Sequence, residues 1–287
     1  MQHNCSDITP SIGVFDSGYG GLSVLRDLVE AMPQYRFTYL GDNARAPYGT
    51  RSFDLVYRFT LQATRYLWEH GCPLVILACN TASAKALRTI QQRYLPGSDD
   101  PSRRVLGVIR PTVEHLAGID TNGHIGIVAT PGTIASHSYD IEIAKAYPGY
   151  SLNSHACPMW VPLVENGELD NPGTDYFVRT DIEKLLAQDP LTDTLILGCT
   201  HYPLLVPVIR RHLPGHIRIL TQGRIVAPSL IDYLRRHPEM DARLQPGTAQ
   251  DARTSRVCYL TTDQPARFDA IASTFMGATV RSRQLAL

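Results

Sequence analysis

The chain reads as an α/β protein of two pseudo-symmetric lobes, each a mainly parallel sheet flanked by helices, with its active site in the crevice between them. Three observations predict this. Short β-branched runs alternate with stretches of helical periodicity, two strand-to-helix corners recur in the second half, and 287 residues suffice for two cores. In such folds ligands sit beyond the carboxyl ends of the strands, so chemistry is sought just after each one.

The predicted strands are IGVF at 12–15, RFTYL at 36–40, LVILA at 74–78, VLGVI at 105–109, IGIVA at 125–129, TLILG at 194–198, IRIL at 217–220 and VCYL at 257–260. Runs this apolar and this short suit strands buried on both faces. Between them Leu22, Leu25, Leu28, Val29 and Met32 keep helical spacing, as do Leu55, Phe59, Ala63 and Leu67. Ser52 is placed to cap the second of these helices.

IGVFDSGYGG from Ile12 aligns with IGIVATPGTI from Ile125 at an offset of 113, and LVILACNTAS from Leu74 aligns with TLILGCTHYP from Thr194 at an offset of 120. The first pair alone is no more than two similar βα corners. The second places a cysteine after the last small residue of each strand, followed by a helix start, which implies two thiols facing each other across the crevice. The first lobe is expected to span 1–105 plus 216–287 and the second 106–215.

Composition narrows the class. With 27 basic and 27 acidic side chains, no charge excess favours nucleic acid. Thr194–Ile209 is uncharged but carries Gly198, Thr200, His201 and two prolines, and it falls short of the ~20 apolar residues of a membrane span. The start, MQHNCSDITP, lacks a signal-peptide pattern and reads as a disordered lead-in to a cytoplasmic protein. Six scattered cysteines, at 5, 72, 79, 157, 199 and 258, are expected to be free thiols.

Cys79 and Cys199 stand at strand ends and at or just before helix starts, where unpaired N–H groups stabilise an anion. The other four lack that setting and read as packing or incidental residues. A thiol protease would need one cysteine and a distant histidine, and a zinc site would need ligand spacings that are absent; neither explains a matched second cysteine. Gly18, Gly20 and Gly21 approach a dinucleotide loop, but Ser23 stands where its third glycine belongs. They read instead as a tight turn beside a small ligand. Asp16 has Ala129 as its counterpart in the repeat, so one wall carries an acid that the other lacks, and it reads either as a helix cap or as a proton acceptor. Glu165 reads either as a surface acid or as part of the site.

Seven segments in order, GVFDSGYGGLSVL, YLGDNARAPYGTRS, ILACNTASAKAL, GVIRPTV, IGIVATPGTIAS, CPMWVPLVENGEL and LILGCTHYPLL, make the chain resemble the glutamate racemases. The resemblance implies interconversion of L- and D-glutamate with no pyridoxal phosphate, other cofactor or metal, for peptidoglycan synthesis, by a homodimer. It implies that Cys79 and Cys199 are the two acid/base catalysts, Cys79 deprotonating D-glutamate and Cys199 L-glutamate. It further implies assisting roles for Asp16, Glu165 and His201, and substrate binding by Asp16, Ser17, Tyr48, Gly49, Asn80, Thr81, Thr200 and His201. A racemase for aspartate, or a non-catalytic binding protein on the same fold, are the alternatives. Thr221, Gln222 and Gly223 stand where many members carry Asp-Ser-Gly, Thr112 stands where alanine is frequent, and 241–256 reads as an insert. Thr112 is expected to alter the pocket slightly. The Thr221–Gly223 segment and the insert are expected to lie clear of the catalytic motifs.

Overall fold

The structure, a computed structural model, describes residues 10–244 and 256–287. The expected N-terminal lead-in with Cys5, and most of the expected insert, lie outside the described residues. Among the described residues ten strands form two sheets: β1 Ile12–Asp16, β2 Phe37–Gly41, β3 Leu74–Leu77, β4 Arg104–Gly107, β5 His124–Ala129, β6 Ser151–Ala156, β7 Thr194–Gly198, β8 Arg218–Leu220, β9 Val257–Thr261 and β10 Ser282–Gln284. The six-stranded sheet runs β10-β9-β2-β1-β3-β4 and the four-stranded sheet β6-β5-β7-β8. The described pairings are parallel, as the alternation of strands and helices requires.

The repeat is a repeat of topology. The order β2-β1-β3-β4 in one sheet matches β6-β5-β7-β8 in the other, and the aligned segments occupy β1 with β5 and β3 with β7. The larger sheet continues past β2 with β9 and β10.

Some boundaries differ from those expected. VLGVI is strand only to Gly107, because its partner β3 ends at Leu77, which pairs with Gly107. Val108 then precedes the helix Ile109–Glu114. IRIL falls on β8, which pairs with β7 in the smaller sheet, so the chain returns to the larger sheet after Leu220 rather than near 215. β6, SLNSHA, escaped the apolar criterion because it is an edge strand with only Asn153 buried. β10 is also an edge strand, three residues long and polar. Residues 241–244 close the helix Pro238–Leu244.

The helix Leu22–Ala31 buries Leu22, Val24, Leu25 and Leu28, and the helix Phe53–Glu69 begins at Ser52, whose Oγ accepts from the Leu55 N–H at 3.4 Å. The buried face of the second helix is Val56, Thr60, Ala63, Thr64 and Leu67, so Leu55 and Phe59 lie at its margin. Helix Gly223–Arg236 packs on Leu22–Ala31; a Cβ on Gly223 would lie 3.1 Å from the Ser23 carbonyl oxygen. Phe268, fully buried, lies against Tyr19 and Tyr39 beneath the larger sheet.

Cys72, Cys79, Cys157 and Cys199 are free thiols, whereas Cys258 on β9 is disulfide-bonded. This corrects the expectation of six free thiols. Sparse cysteines argue against a disulfide framework, but a single bridge needs only two sulfurs within reach. Among the described residues, no helix is long and apolar enough to cross a membrane.

The corner after β1 has no room for a side chain at Gly21, where a Cβ would lie 2.5 Å from the Asp16 Cβ and 3.1 Å from the Ala78 Cβ. Both are Cβ atoms fixed to backbone, one at the end of β1 and one just past β3. Gly21→Ala should therefore destabilise the fold by about 1–3 kcal/mol, seen as a lower urea midpoint at unchanged slope.

Candidate active site

The carboxyl ends of β1 and β3 in the larger sheet face those of β5 and β7 in the smaller one, and residues just past these ends build the site. Cys79 follows β3 as the N-cap of the helix Asn80–Lys85, with its Sγ accepting from the Ala82 N–H at 3.4 Å and lying 3.5 Å from the Ser17 Oγ. Cys199 follows β7, with its Sγ 3.7 Å from His201 Nδ1. The thiols are 6% and 7% exposed, so the crevice is closed.

The walls differ in charge, as the Asp16–Ala129 mismatch implies. Asp16 ends β1 with no solvent exposure; its Oδ1 accepts from the Gly18 N–H at 2.8 Å and its Oδ2 from Thr200 Oγ1, across the crevice, at 3.3 Å. Burial pushes its carboxyl up, against the pull of His201 and of these donors. On the other wall His201 Nε2 meets Glu165 Oε1 at 3.1 Å, with Glu165 closing the helix Trp160–Glu165. Burial alone would push the imidazole down, but Cys199 on one side and Glu165 on the other raise it to about 10. Of the two readings of Glu165, the ion pair favours membership of the site.

Cys79 differs from the expectation that a helix start lowers a thiol. Burial and the nearby Asp16 charge push it up to about 12, against the weaker pull of Ser17 and the Ala82 N–H. A six-residue helix and one long hydrogen bond do not offset desolvation.

The remaining expected residues also gather here, in differing roles. Thr81 Oγ1 reaches across to Thr130 Oγ1 at 3.0 Å and Thr133 Oγ1 at 3.3 Å. The Gly49 carbonyl accepts from the Gly132 N–H at 2.7 Å, and a Cβ on Gly49 would lie 2.8 Å from the Thr130 Cβ. The Tyr48 hydroxyl donates to Asp42, which also accepts from Arg45 Nε at 2.7 Å and Thr262 Oγ1 at 2.9 Å. Gly20 admits the facing wall, since a Cβ there would overlap Thr200 Oγ1 at 2.2 Å.

Sequence reasoning missed Thr130, although the repeat could have found it: it is the counterpart of Ser17 at the same 113-residue offset. It also missed Tyr139 and placed Gln222 apart from the catalytic motifs. That is corrected here: Gln222 Nε2 donates to Asn80 Oδ1 at 2.8 Å, and the Tyr139 hydroxyl donates to the same oxygen at 2.8 Å. No spacing rule links positions so far apart in the chain.

His155, Cys157 and Asp181 bring three donor atoms within 4.8 Å of one another. Asp181 is already bonded to His155 Nε2 and to Trp160 Nε1, each at 2.9 Å, which accounts for the cluster as a packing network.

The Asp/Glu/hydantoin racemase family pattern matches residues 12–230. The chain is 38% identical over 276 residues to a glutamate racemase of Roseobacter denitrificans, covering 93% of this chain and 96% of the relative. It is 38% identical to that of Paracoccus denitrificans over 281 residues, 94% and 98% of the two chains. Among solved structures, a Bacillus anthracis glutamate racemase isoform superposes with a TM-score of 0.86 at 31% identity, covering 98% of each chain. A Francisella tularensis glutamate racemase in complex with D-glutamate superposes with a TM-score of 0.82 at 27% identity, again over 98% of each. With the paired thiols, the repeated corners and this length of match, the chain belongs to the Asp/Glu/hydantoin racemase family, alongside its glutamate racemases.

Proposed function

We propose that the protein interconverts L- and D-glutamate by two-base proton transfer between Cys79 and Cys199, without cofactor or metal, and so supplies D-glutamate for peptidoglycan. One observation carries the reading: two buried thiols at equivalent strand ends of two repeated sheets, on opposite walls of one crevice, each beside its own ionisable neighbour. Inversion at an α-carbon needs a base on one face and an acid on the other, which a single group cannot supply.

In the L-to-D direction Cys199 takes the α-proton. The His201 imidazolium, 3.7 Å from its sulfur, steadies the charge as the proton moves. Cys79, held as a thiol by burial and Asp16, delivers a proton from the far side. In reverse, Cys79 is the base, and Asp16, its carboxyl raised by burial, is the acceptor that frees the sulfur for that role. Glu165 keeps His201 charged in both directions. The carboxylates of glutamate and the developing carbanion meet neutral donors: Ser17, Thr81, Thr130 and Thr200, with backbone N–H groups at the strand ends. These hold an anion without offering a rival base. Closure of the crevice excludes water from the carbanion. A cytoplasmic homodimer accompanies this reading.

The decisive experiment is racemisation followed by circular dichroism together with α-deuterium uptake from D2O, using glutamate and aspartate as substrates. Exchange and inversion on glutamate are expected; preference for aspartate, or no exchange by folded protein, overturns the assignment. Cys79→Ala and Cys199→Ala should each lower racemisation by at least about 100-fold with the urea midpoint little changed. Either variant at near full activity excludes a two-base mechanism.

The His201–Glu165 pair gives a prediction in pH. The imidazolium persists until pH rises through about 10, so its support for Cys199 is lost above that value. Glu165→Gln removes one of the two groups that raise it. The alkaline limb of kcat for L-glutamate should therefore move to lower pH, and an unmoved limb would separate Glu165 from catalysis.

A further inference from the structure

We propose that Gln222 is a positioning residue for the proton transfer at Cys79, acting through a paired-amide contact with Asn80. This rests on Cys79 being an acid/base group of the reaction. Asn80 Nδ2 donates to Gln222 Oε1 at 2.5 Å while Gln222 Nε2 donates back to Asn80 Oδ1 at 2.8 Å. The two side-chain amides therefore pair as a two-bond unit. Gln222 Nε2 also lies 2.9 Å from the Tyr139 hydroxyl and 3.4 Å from Thr112 Oγ1. Asn80, Thr112, Tyr139 and Gln222 are all buried, none more than 3% exposed.

The location gives the cluster its reach. Both crossings between lobes pass through it. After β4 the chain enters the helix Ile109–Glu114, which carries Thr112, and after β8 it returns through Gln222, the residue before the helix Gly223–Arg236. Tyr139 comes from the helix Ser138–Ala146 of the second lobe. Asn80 is the first residue of the helix capped by Cys79. Gln222 thus ties both crossings and the second lobe to the residue next to the reacting sulfur. A buried, paired amide has one low-energy orientation, so turning Asn80 breaks its two bonds to Gln222 and the one from Tyr139. An apolar side chain would fill the same space but would leave the Asn80 amide with only the Tyr139 hydroxyl to orient it.

The test compares Gln222→Met, which keeps volume and loses the pair, with Gln222→Glu. The protonated carboxyl of the latter can still donate to Asn80 Oδ1 and accept from Nδ2, whereas its ionised form cannot donate. The readouts are kcat and the primary isotope effects on α-deuterated D- and L-glutamate. Gln222→Met should lower kcat about tenfold. It should also raise the isotope effect for D-glutamate, whose deuteron Cys79 removes, and lower it for L-glutamate, whose deuteron Cys199 removes. Gln222→Glu should keep more activity at about pH 6 than at about pH 9, and it carries the comparison if Gln222→Met does not fold. Isotope effects that are unchanged, or that shift alike in both directions, make Gln222 a packing residue and overturn the proposal. The opposite asymmetry would support positioning and reassign which enantiomer Cys79 deprotonates. Full activity in Cys79→Ala would instead overturn the reading on which the proposal rests.

Discussion

A buried carboxyl and a buried imidazole facing each other across a closed crevice form the constraint around which the site is arranged. Asp16 has no solvent exposure, and His201 is nearly as deeply placed. Isolated charges at such depth are strongly disfavoured, so each is held by named partners: Gly18, Gly21 and Thr200 for Asp16, and Cys199 and Glu165 for His201. The thiols stand beside these groups: burial and Asp16 push Cys79 up, and the Cys199 sulfur lies 3.7 Å from His201 Nδ1.

The scaffold supplies that opposition through repetition. One sheet order, used twice, brings βα corners of the two sheets face to face, and among their differences are Asp16 against Ala129 and Asn80-Thr81 against Thr200-His201. The glycines serve the approach of the walls. Gly20 lies against Thr200 and His201, Gly49 against Thr130, and Gly132 against the Gly49 carbonyl. A side chain at any of them would hold the lobes apart. Both sulfurs are enclosed in this arrangement, so a ligand reaches them only when the lobes part.

Much of this was legible in the sequence, for identifiable reasons. Buried parallel strands announce themselves as apolar runs, so β1, β3, β5 and β7, and the cysteines just past β3 and β7, could be located from pattern and repeat. Edge strands need not, because one side meets solvent and polar residues suffice; β6 and β10 are hidden for that reason, whereas the edge strands β4 and β8 still read as apolar runs. The return between lobes was misplaced because IRIL looks the same in either sheet, and only its pairing with β7 decides. The side-chain partners were the least legible. That Glu165 reaches His201, that Tyr48 turns to Asp42, and that Gln222 pairs with Asn80 are consequences of tertiary approach between distant positions. The raised thiol of Cys79 was hidden for the same reason: the sequence shows the helix start but not the depth of burial.

The unequal walls have one more consequence. L- and D-glutamate are mirror images of equal free energy in water, so for a racemase acting on them the ratio kcat/KM must be the same in both directions. The carboxyl on one wall and the imidazole on the other therefore cannot favour one enantiomer overall. Any advantage in turnover that the His201–Glu165 wall gives to one direction must be matched by weaker apparent affinity for that enantiomer. An acid at Asp16 without a counterpart at Ala129 can therefore alter only how such a reaction divides between saturation and speed, while its equilibrium stays symmetric.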